Sequence, residues 1–350
     1  MFKKTVSREE YLTQMENPDN VLEVSDLQTC FDTDRGRIRA VDGVSFSVPA
    51  GKTVALVGES GCGKSVTSLS VMGLLPPGRG RITQGGIRLN LGEKAYDLTK
   101  TPEPVLRKLR GGELAMVFQE PMTALNPVLT VGSQIAEAVK LHHPQGKDRA
   151  FCRSRVLRLL EQVGIPDGPA VYKKYPHQLS GGMRQRIVIA MALAGDPRLI
   201  IADEPTTALD VTVQAQILAL LRSLKVETGC ALLLITHDLG VVASMADYVV
   251  VMYAGKVVEQ GLLREIFYQP AHPYTQALLA AKPTLGEKKD RLFTIEGTVP
   301  DPGQLPDHCY FRDRCSRQGE HCGTHPEEID LSPTHKVSCW RHFREEENGA

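Results

Sequence analysis

The sequence predicts an α/β fold with a largely parallel sheet. Short, almost continuously apolar runs, typical of strands covered on both faces, occur at Thr53–Val57, Leu199–Ala202 and Ala231–Ile235. Helical patterns separate them: one helix is predicted from about Gly63 to Leu75, and residues 130–194 are mostly helical in character. Alternation of buried strands with helices is the pattern of an α/β core.

Further strands are predicted on either side of this alternation. Residues 21–27 and 44–48 alternate apolar with polar side chains, as half-buried strands do, and a polar turn at 32–36 follows the first of them. Near the end of the patterned region, Tyr248–Met252 and Lys256–Glu259 predict a terminal hairpin around Ala254-Gly255.

Composition restricts the class of protein. The 350 residues carry no net charge and are 42% hydrophobic, so no basic excess favours nucleic acid as the main partner. No apolar run approaches the ~20 residues that span a bilayer. The segment Met1–Asn20 is polar and lacks the apolar core of a signal peptide. We therefore expect a cytoplasmic chain that neither spans the membrane nor is exported.

A glycine-rich loop follows the first buried strand and precedes the first helix. Gly58–Ser65 matches G-x-x-x-x-G-K-[ST], in which backbone N–H groups wrap a phosphate, Lys64 reaches the β- and γ-phosphates and Ser65 ligates Mg²⁺. This strand–loop–helix order predicts ATP binding. The residues expected at the nucleotide are Gly58, Glu59, Ser60, Gly61, Cys62, Gly63, Lys64, Ser65 and Val66.

Two acids end the second buried strand. Asp203 is placed to hold Mg²⁺ directly or through water, and the adjacent Glu204 to polarise the water that attacks the γ-phosphate. Together with the glycine-rich loop, this pair predicts ATP hydrolysis.

Further motifs in the right order resemble those of the ABC ATPases. Leu179–Arg186 resembles the signature motif, with methionine at 183 where glutamine is more common. Gln119 resembles the Q-loop glutamine, Thr207–Asp210 the D-loop and His237 the switch histidine, while Phe31 stands where the family places an adenine-stacking aromatic. The resemblance implies catalytic roles for Glu204, His237 and Gln119, nucleotide contacts for Phe31, Ser180, Gly181, Gly182 and Asp210, and Mg²⁺ ligation by Ser65, Gln119 and Asp203.

A narrower resemblance is to the ATPases of oligopeptide, dipeptide and nickel importers. It is carried by residues 119–127, Tyr175–Gln178, Asp203–Asp210 and His272–Leu279, and it covers nearly all of residues 21–342. It implies a head-to-tail dimer with a second, paralogous ABC ATPase, two transmembrane permease subunits, an extracytoplasmic solute-binding protein, and a peripheral position on the cytoplasmic face of the inner membrane. Peptides are the expected cargo; nickel or another small solute stays open.

The same resemblance implies a domain organisation. An N-terminal extension is expected at 1–20 and an ABC nucleotide-binding domain of the P-loop NTPase type at 21–282. That domain would combine a RecA-like parallel-sheet core, an antiparallel β subdomain and a helical subdomain at about 120–190. A small cysteine-rich C-terminal domain is expected at 283–350, with the boundary near Lys282, where the periodic pattern decays.

The C-terminal cysteines form a cluster in sequence. Cys309, Cys315, Cys322 and Cys339 follow the spacing C-x5-C-x6-C-x16-C, without the close pairs of zinc knuckles. Four thiolates suit Zn²⁺ or a [4Fe–4S] cluster, and reduced structural thiols are the third possibility. The wide spacing favours the larger cluster, and the resemblance implies a [4Fe–4S] site with a structural or regulatory role.

Two other functions compete with transport. Soluble ABC ATPases that act on ribosomes or DNA usually carry two ATPase domains or long coiled coils, whereas this chain has one set of motifs and no heptad run. An iron–sulfur-regulated soluble ABC ATPase, acting as a redox or iron sensor, is compatible with the cysteines. The full set of Gln119, Glu204 and His237 favours turnover of ATP instead.

Overall fold

The computed structural model describes residues 8–34, 36–207, 209–281 and 294–343. The predicted boundary at Lys282, Ala208 of the D-loop, and residues 1–7 of the predicted N-terminal extension lie outside these ranges. Within them the strands are β1 Leu12–Thr13, β2 Asn20–Thr33, β3 Gly36–Pro49, β4 Thr53–Val57, β5 Gly80–Asn90, β6 Ala95–Asp97, β7 Leu114–Val117, β8 Leu199–Asp203, β9 Ala231–Ile235, β10 Tyr248–Tyr253, β11 Lys256–Leu262, β12 Ile329–Asp330 and β13 Lys336–Val337. The helices are α1 Arg8–Tyr11, α2 Lys64–Met72, α3 Glu103–Leu109, α4 Pro121–Ala124, α5 Val131–His142, α6 Arg149–Gln162, α7 Gly168–Val171, α8 Gly181–Ala192, α9 Val211–Thr228, α10 Leu239–Met245, α11 Leu263–Tyr268 and α12 Pro273–Ala280.

The larger sheet has the strand order β12-β13-β11-β10-β4-β9-β8-β7. Strands β10, β4, β9, β8 and β7 run parallel, and every residue of β4, β8 and β9 is buried. The predicted α/β core is confirmed, and the carboxyl ends of β4 and β8 lie at the same edge of the sheet. The predicted hairpin is also present, because β11 pairs antiparallel with β10.

The smaller sheet is antiparallel, in the order β1-β6-β5-β2-β3. Strand β2 continues to Thr33, beyond the predicted segment 21–27, so the turn predicted at 32–36 is narrower in the structure. Strand β5 was not predicted: most of its first half is exposed and polar, so it lacks the apolar alternation that marks a half-buried strand.

Helices α5 to α8 lie within residues 130–194, the region predicted to be mostly helical, and the short helix α4 precedes them. Their apolar faces share one buried cluster with strands β7 to β9, including Ile135, Val156, Leu160, Ile187 and Ile217 of α9. Helix α8, which begins within the signature motif, thereby rests on the same core as the strand that ends in Asp203.

Residues 294–343 pack directly on the α/β core. Strand β13 adds to the large sheet by pairing antiparallel with β11. The rings of Tyr253 and Tyr274 lie 5.1 Å and 5.4 Å from the ring of Phe311, and the Tyr310 hydroxyl donates to Asp42 Oδ2 at 2.7 Å. The C-terminal segment thus shares a hydrophobic cluster with β4, β10 and α12.

Candidate ATP site

The phosphate loop joins β4 to α2, and backbone geometry fixes its sequence at two glycines. Gly58 and Gly63 have φ angles of 152° and 99°, which side-chain-bearing residues rarely adopt. A Cβ at Gly58 would collide with the carbonyl oxygen of Met252, and one at Gly63 with that of Ala40. The loop is therefore packed tightly where Gly58 and Gly63 face the protein, while Ser60 and Gly61 are exposed to solvent.

Lys64 lies inside the loop. Its side chain is buried, and Nζ donates to the carbonyl oxygens of Gly58 at 2.8 Å and Glu59 at 2.9 Å. Cys62 is buried beside it, with Sγ 3.7 Å from Nζ, and burial raises the pKa of its thiol. The ammonium group is thus held inside the loop, where phosphate oxygens would accept hydrogen bonds from it.

Asp203 is a buried carboxylate whose hydrogen bonds are to hydroxyl groups. Ser65 Oγ donates to Oδ1 at 3.1 Å and Ser68 Oγ to Oδ2 at 3.4 Å, and the residue is 5% exposed. Two hydroxyls are weak compensation for a buried charge. Carboxylate and hydroxyl oxygens are the ligands that Mg²⁺ prefers, so this pair fits the ion.

Glu204 is the point at which three separate segments meet. Gln119 Nε2 donates to Glu204 Oε2 at 2.9 Å, Thr207 Oγ1 donates to the same oxygen at 2.8 Å, and His237 Nδ1 lies 3.0 Å from Oε1. Glu204 itself has a φ of 44°, in the left-handed region, a strained backbone common at functional sites. The structure thus brings together the three side chains predicted to be catalytic.

The pKa values of the two adjacent acids shift in opposite directions from their ordinary values. Burial raises the pKa of Asp203, helped by the negative charge of Glu204 and opposed by the Ser65 hydrogen bond. Burial acts in the same sense on Glu204, but hydrogen bonds from His237 and Thr207 and the positive charges of His237 and Lys64 outweigh it and lower the pKa. Because Lys64 acts on both carboxylates, the loop and the acid pair form one site.

The signature residues open a helix at the surface. Ser180 caps α8 by accepting from the Met183 N–H at 3.4 Å, and Ser180 and Gly181 are exposed. A Cβ on Gly182 would lie 2.7 Å from Val213 Cγ1 of α9. The positive end of a 12-residue helix is therefore presented to solvent, as anion binding requires.

Asp210 and Phe31 have their described contacts away from the loop. Asp210 caps α9, accepting from the Val213 N–H at 2.9 Å. Phe31 is half-buried in β2, and a Cβ on Gly80 would lie 2.9 Å from its ring. Their predicted nucleotide contacts remain predictions.

The four C-terminal cysteine sulfurs are close enough to act on one another electrostatically. Burial, together with the charges of Cys322, Cys339 and Cys315, raises the pKa of Cys309 to about 11. Each sulfur also accepts a backbone N–H: Phe311 to Cys309, Arg317 to Cys315, Gly319 to Cys322 and Arg341 to Cys339. Among the described residues, however, no three His, Cys, Asp or Glu side chains are placed to hold a metal ion.

Two residues at the site were not singled out from the sequence. Ser68 lies one helical turn after Ser65, a spacing that puts both hydroxyls on one face of α2 and could have indicated the second bond to Asp203. Thr207 was assigned only to the D-loop motif, and its bond to Glu204 closes a turn of four residues.

Comparison with known proteins agrees with this geometry. Residues 41–207 match the ABC transporter family, and residues 258–322 match the C-terminal region of oligopeptide/dipeptide transporters. A post-hydrolysis dimer of an ATP-binding cassette bound to ADP and Pi superposes with a TM-score of 0.60 at 28% identity, covering 69% of this chain and 99% of that one. Within the described ranges, no helix combines the length and apolar character needed to cross a membrane.

Relatives match over nearly the full length. The dipeptide transport ATP-binding protein DppD of Bacillus subtilis is 51% identical over 323 residues, which are 92% of this chain and 95% of DppD. The oligopeptide transport ATP-binding protein AppD of the same organism is 49% identical over 331 residues, 94% of this chain and 98% of AppD. The chain therefore belongs to the ATP-binding subunits of ABC transporters, in the oligopeptide/dipeptide group.

Proposed function

We propose that this chain binds and hydrolyses ATP to power the import of dipeptides or oligopeptides. The proposal is supported by the similarity to DppD and AppD, which extends through the C-terminal segment as well as the cassette. The observation that carries it is the convergence of Gln119, Thr207 and His237 on Glu204, one residue from Asp203.

In the proposed reaction, the loop amides and Lys64 bind the phosphates of ATP. Ser65 and Asp203, with Gln119, would hold Mg²⁺, which supplies neutralisation of the charge on the β- and γ-phosphates. Glu204, kept ionised by its partners, orients the attacking water and accepts its proton. His237 and Gln119 hold the Glu204 carboxylate in place.

Assembly completes the site in this proposal. The exposed signature helix of one subunit closes on the ATP held by the loop of a second, paralogous ATPase, arranged head to tail. The dimeric cassette structure with ADP and Pi is the precedent among similar proteins. Phe118 and Val128, which flank the Q-loop helix α4 and are 41% and 75% exposed, would meet the permease subunits on the cytoplasmic face of the membrane.

From the spacing of the four C-terminal cysteines and the resemblance to peptide-importer ATPases, we propose that they bind a [4Fe–4S] cluster, with zinc as the alternative. Their described placement is not that of a formed metal site, and the structural support is limited to a backbone N–H donor for each sulfur. In the division proposed here, the nucleotide-binding domain spans 21–282 and the cysteine-bearing extension 283–350.

Transport by the reconstituted complex tests the cargo. The chain would be assembled with its partner ATPase, two permease subunits and binding protein in vesicles, and ATP-dependent uptake of a labelled dipeptide compared with that of Ni²⁺. Peptide uptake that stops with Lys64→Ala supports the proposal. ATP-dependent uptake of Ni²⁺ and not of the dipeptide would contradict the proposed peptide cargo. If the complex hydrolyses ATP but takes up no solute, the proposed transport role is wrong.

A further inference from the structure

Glu59, the second residue of the phosphate loop, is held at three points. Its carbonyl oxygen accepts from Lys64 Nζ at 2.9 Å, within the loop itself. Its backbone N–H donates to the Tyr274 hydroxyl at 2.9 Å, and its carboxylate pairs with Arg314. Two of these three anchors come from beyond the hairpin that ends the parallel core, from α12 and from the cysteine-bearing segment.

The Arg314–Glu59 pair is bidentate. Nη1 donates to Glu59 Oε2 at 2.6 Å and Nη2 to Oε1 at 3.0 Å, and the Arg314 side chain is only 5% exposed. Fork-to-carboxylate pairs of this kind fix orientation as well as distance. The contact joins positions 255 residues apart.

The remaining donors of Arg314 are also occupied. Nε donates to the Glu296 carbonyl at 2.9 Å, Nη2 to the Ile295 carbonyl at 3.2 Å and Nη1 to the Tyr253 hydroxyl at 3.3 Å. All five guanidinium N–H groups therefore have acceptors, which leaves the side chain one orientation. A lysine has a single nitrogen and cannot reproduce this arrangement.

From these contacts we infer that Arg314 is a positioning residue for the phosphate loop: it preorganises Glu59, and with it the loop backbone and Lys64, for binding ATP. The loop is the only connection between β4 and α2, and its grip on phosphate depends on the direction of its backbone N–H groups. Without the Arg314 contact, the loop N–H groups would have to be ordered by ATP itself, and the free energy needed for that ordering would weaken ATP binding.

The position of Arg314 links two parts of the protein. Cys315 follows it directly, so the residue that holds the loop is adjacent to one of the four C-terminal cysteines. Tyr274 gives the loop a second anchor from α12, and its hydroxyl is buried against Glu59. The C-terminal elements thus serve the nucleotide site while contributing no atom to the predicted phosphate contacts.

The test compares variants of the full-length chain. Arg314→Lys keeps the charge but loses the bidentate geometry; Glu59→Ala removes the acceptor and leaves Arg314 in place; a third chain carries both changes. Arg312→Gln is the matched control, because it removes an arginine two residues away for which the described residues show no side-chain partner. Binding of a fluorescent ATP analogue, steady-state ATPase activity and thermal unfolding are measured for each.

For both single variants we expect the dissociation constant and the KM for ATP to rise about tenfold, with kcat at saturating ATP little changed, since preorganised binding is what is lost. The double variant should lose no more than the worse single variant, because both changes remove one contact. Arg312→Gln should behave as the unsubstituted chain.

Three results would overturn the inference. These are unchanged ATP binding by a folded Arg314→Lys chain, fully additive losses in the double variant, or a fall in kcat with KM unchanged. If Arg314→Lys does not fold, Glu59→Ala tests the inference by itself. Normal ATP binding by the Glu59→Ala chain would then contradict it.

Discussion

His237 Nδ1 lies 3.0 Å from Glu204 Oε1, while the other carboxylate oxygen of Glu204 accepts from Gln119 and Thr207. One carboxylate thus joins the segments that follow β7, β8 and β9. Since those three strands are parallel neighbours, their carboxyl ends meet at one edge of the sheet and bring the segments together.

Replacing Glu204 by glutamine should leave ATP bound but unhydrolysed. Glutamine keeps the shape and can still bond Thr207 and Gln119, but it cannot accept a proton from water. We expect kcat to fall by about 10²- to 10⁴-fold, the range for loss of a general base, with ATP affinity retained. Single-turnover hydrolysis and nucleotide binding measure the two quantities.

Glu161→Gln is the control for charge, because Glu161 is an exposed acid on α6 away from the site. Its activity should match that of the unsubstituted chain. Full turnover by Glu204→Gln would remove Glu204 from its assigned role.

Gly63→Ala should destabilise the fold as well as the site. The φ of 99° strains any L side chain, and the new Cβ would meet the Ala40 carbonyl. Gly229→Ala is a useful comparison, because Gly229 has a φ of 70° but nothing within 4 Å of an added Cβ. Strain alone costs about 1–2 kcal/mol, so denaturant unfolding should show a larger loss for Gly63→Ala. Equal losses would contradict the close packing of Ala40 against the loop.

The buried acid Glu259 gives the attachment of the C-terminal segment a dependence on pH. Its Oε1 lies 2.8 Å from His335 Nε2 and accepts from the Ala271 N–H at 2.7 Å, while Oε2 accepts from the His272 N–H at 2.9 Å. Burial raises the pKa of Glu259, but these bonds outweigh it and lower the pKa below the ordinary 4.5. The stabilisation is therefore complete above about pH 4.5 and is lost as pH falls through the lower folded-state value.

Glu259→Gln should cost about 3 kcal/mol at neutral pH, as when one partner of a buried pair is removed. The difference in unfolding free energy between this variant and the unsubstituted chain should shrink as pH falls below about 4.5. Glu327→Gln, which changes an exposed acid of the C-terminal segment, is the control. A difference independent of pH would show that ionised Glu259 is not what stabilises this contact.

Cys315→Ser should abolish visible iron–sulfur absorption in anaerobically purified protein. The hydroxyl of serine is a poor ligand for cluster iron compared with a cysteine thiolate. Cys30→Ser, a buried cysteine in β2, should keep the absorption. Metal analysis that finds stoichiometric zinc and no iron would replace the cluster by the zinc alternative.

Much of the ATP site could be predicted because its motifs are short and lie at strand ends. Lys64 and Ser65 have a fixed relation to β4, and Asp203 and Glu204 to β8, so local pattern was enough to find them. The bounds of β4 and β9 were likewise predicted from continuous apolar runs. Strand β5 was missed because its exposed first half carries no such pattern.

The sequence by itself determined the α/β core, the phosphate loop and the order of the catalytic motifs, since each depends on periodicity or spacing within a few residues. Only the tertiary structure decided that Glu204 is the meeting point of Gln119, Thr207 and His237, and that Arg314 holds Glu59. Contacts between residues far apart in the chain depend on how whole elements pack, and no local pattern of residues records that packing.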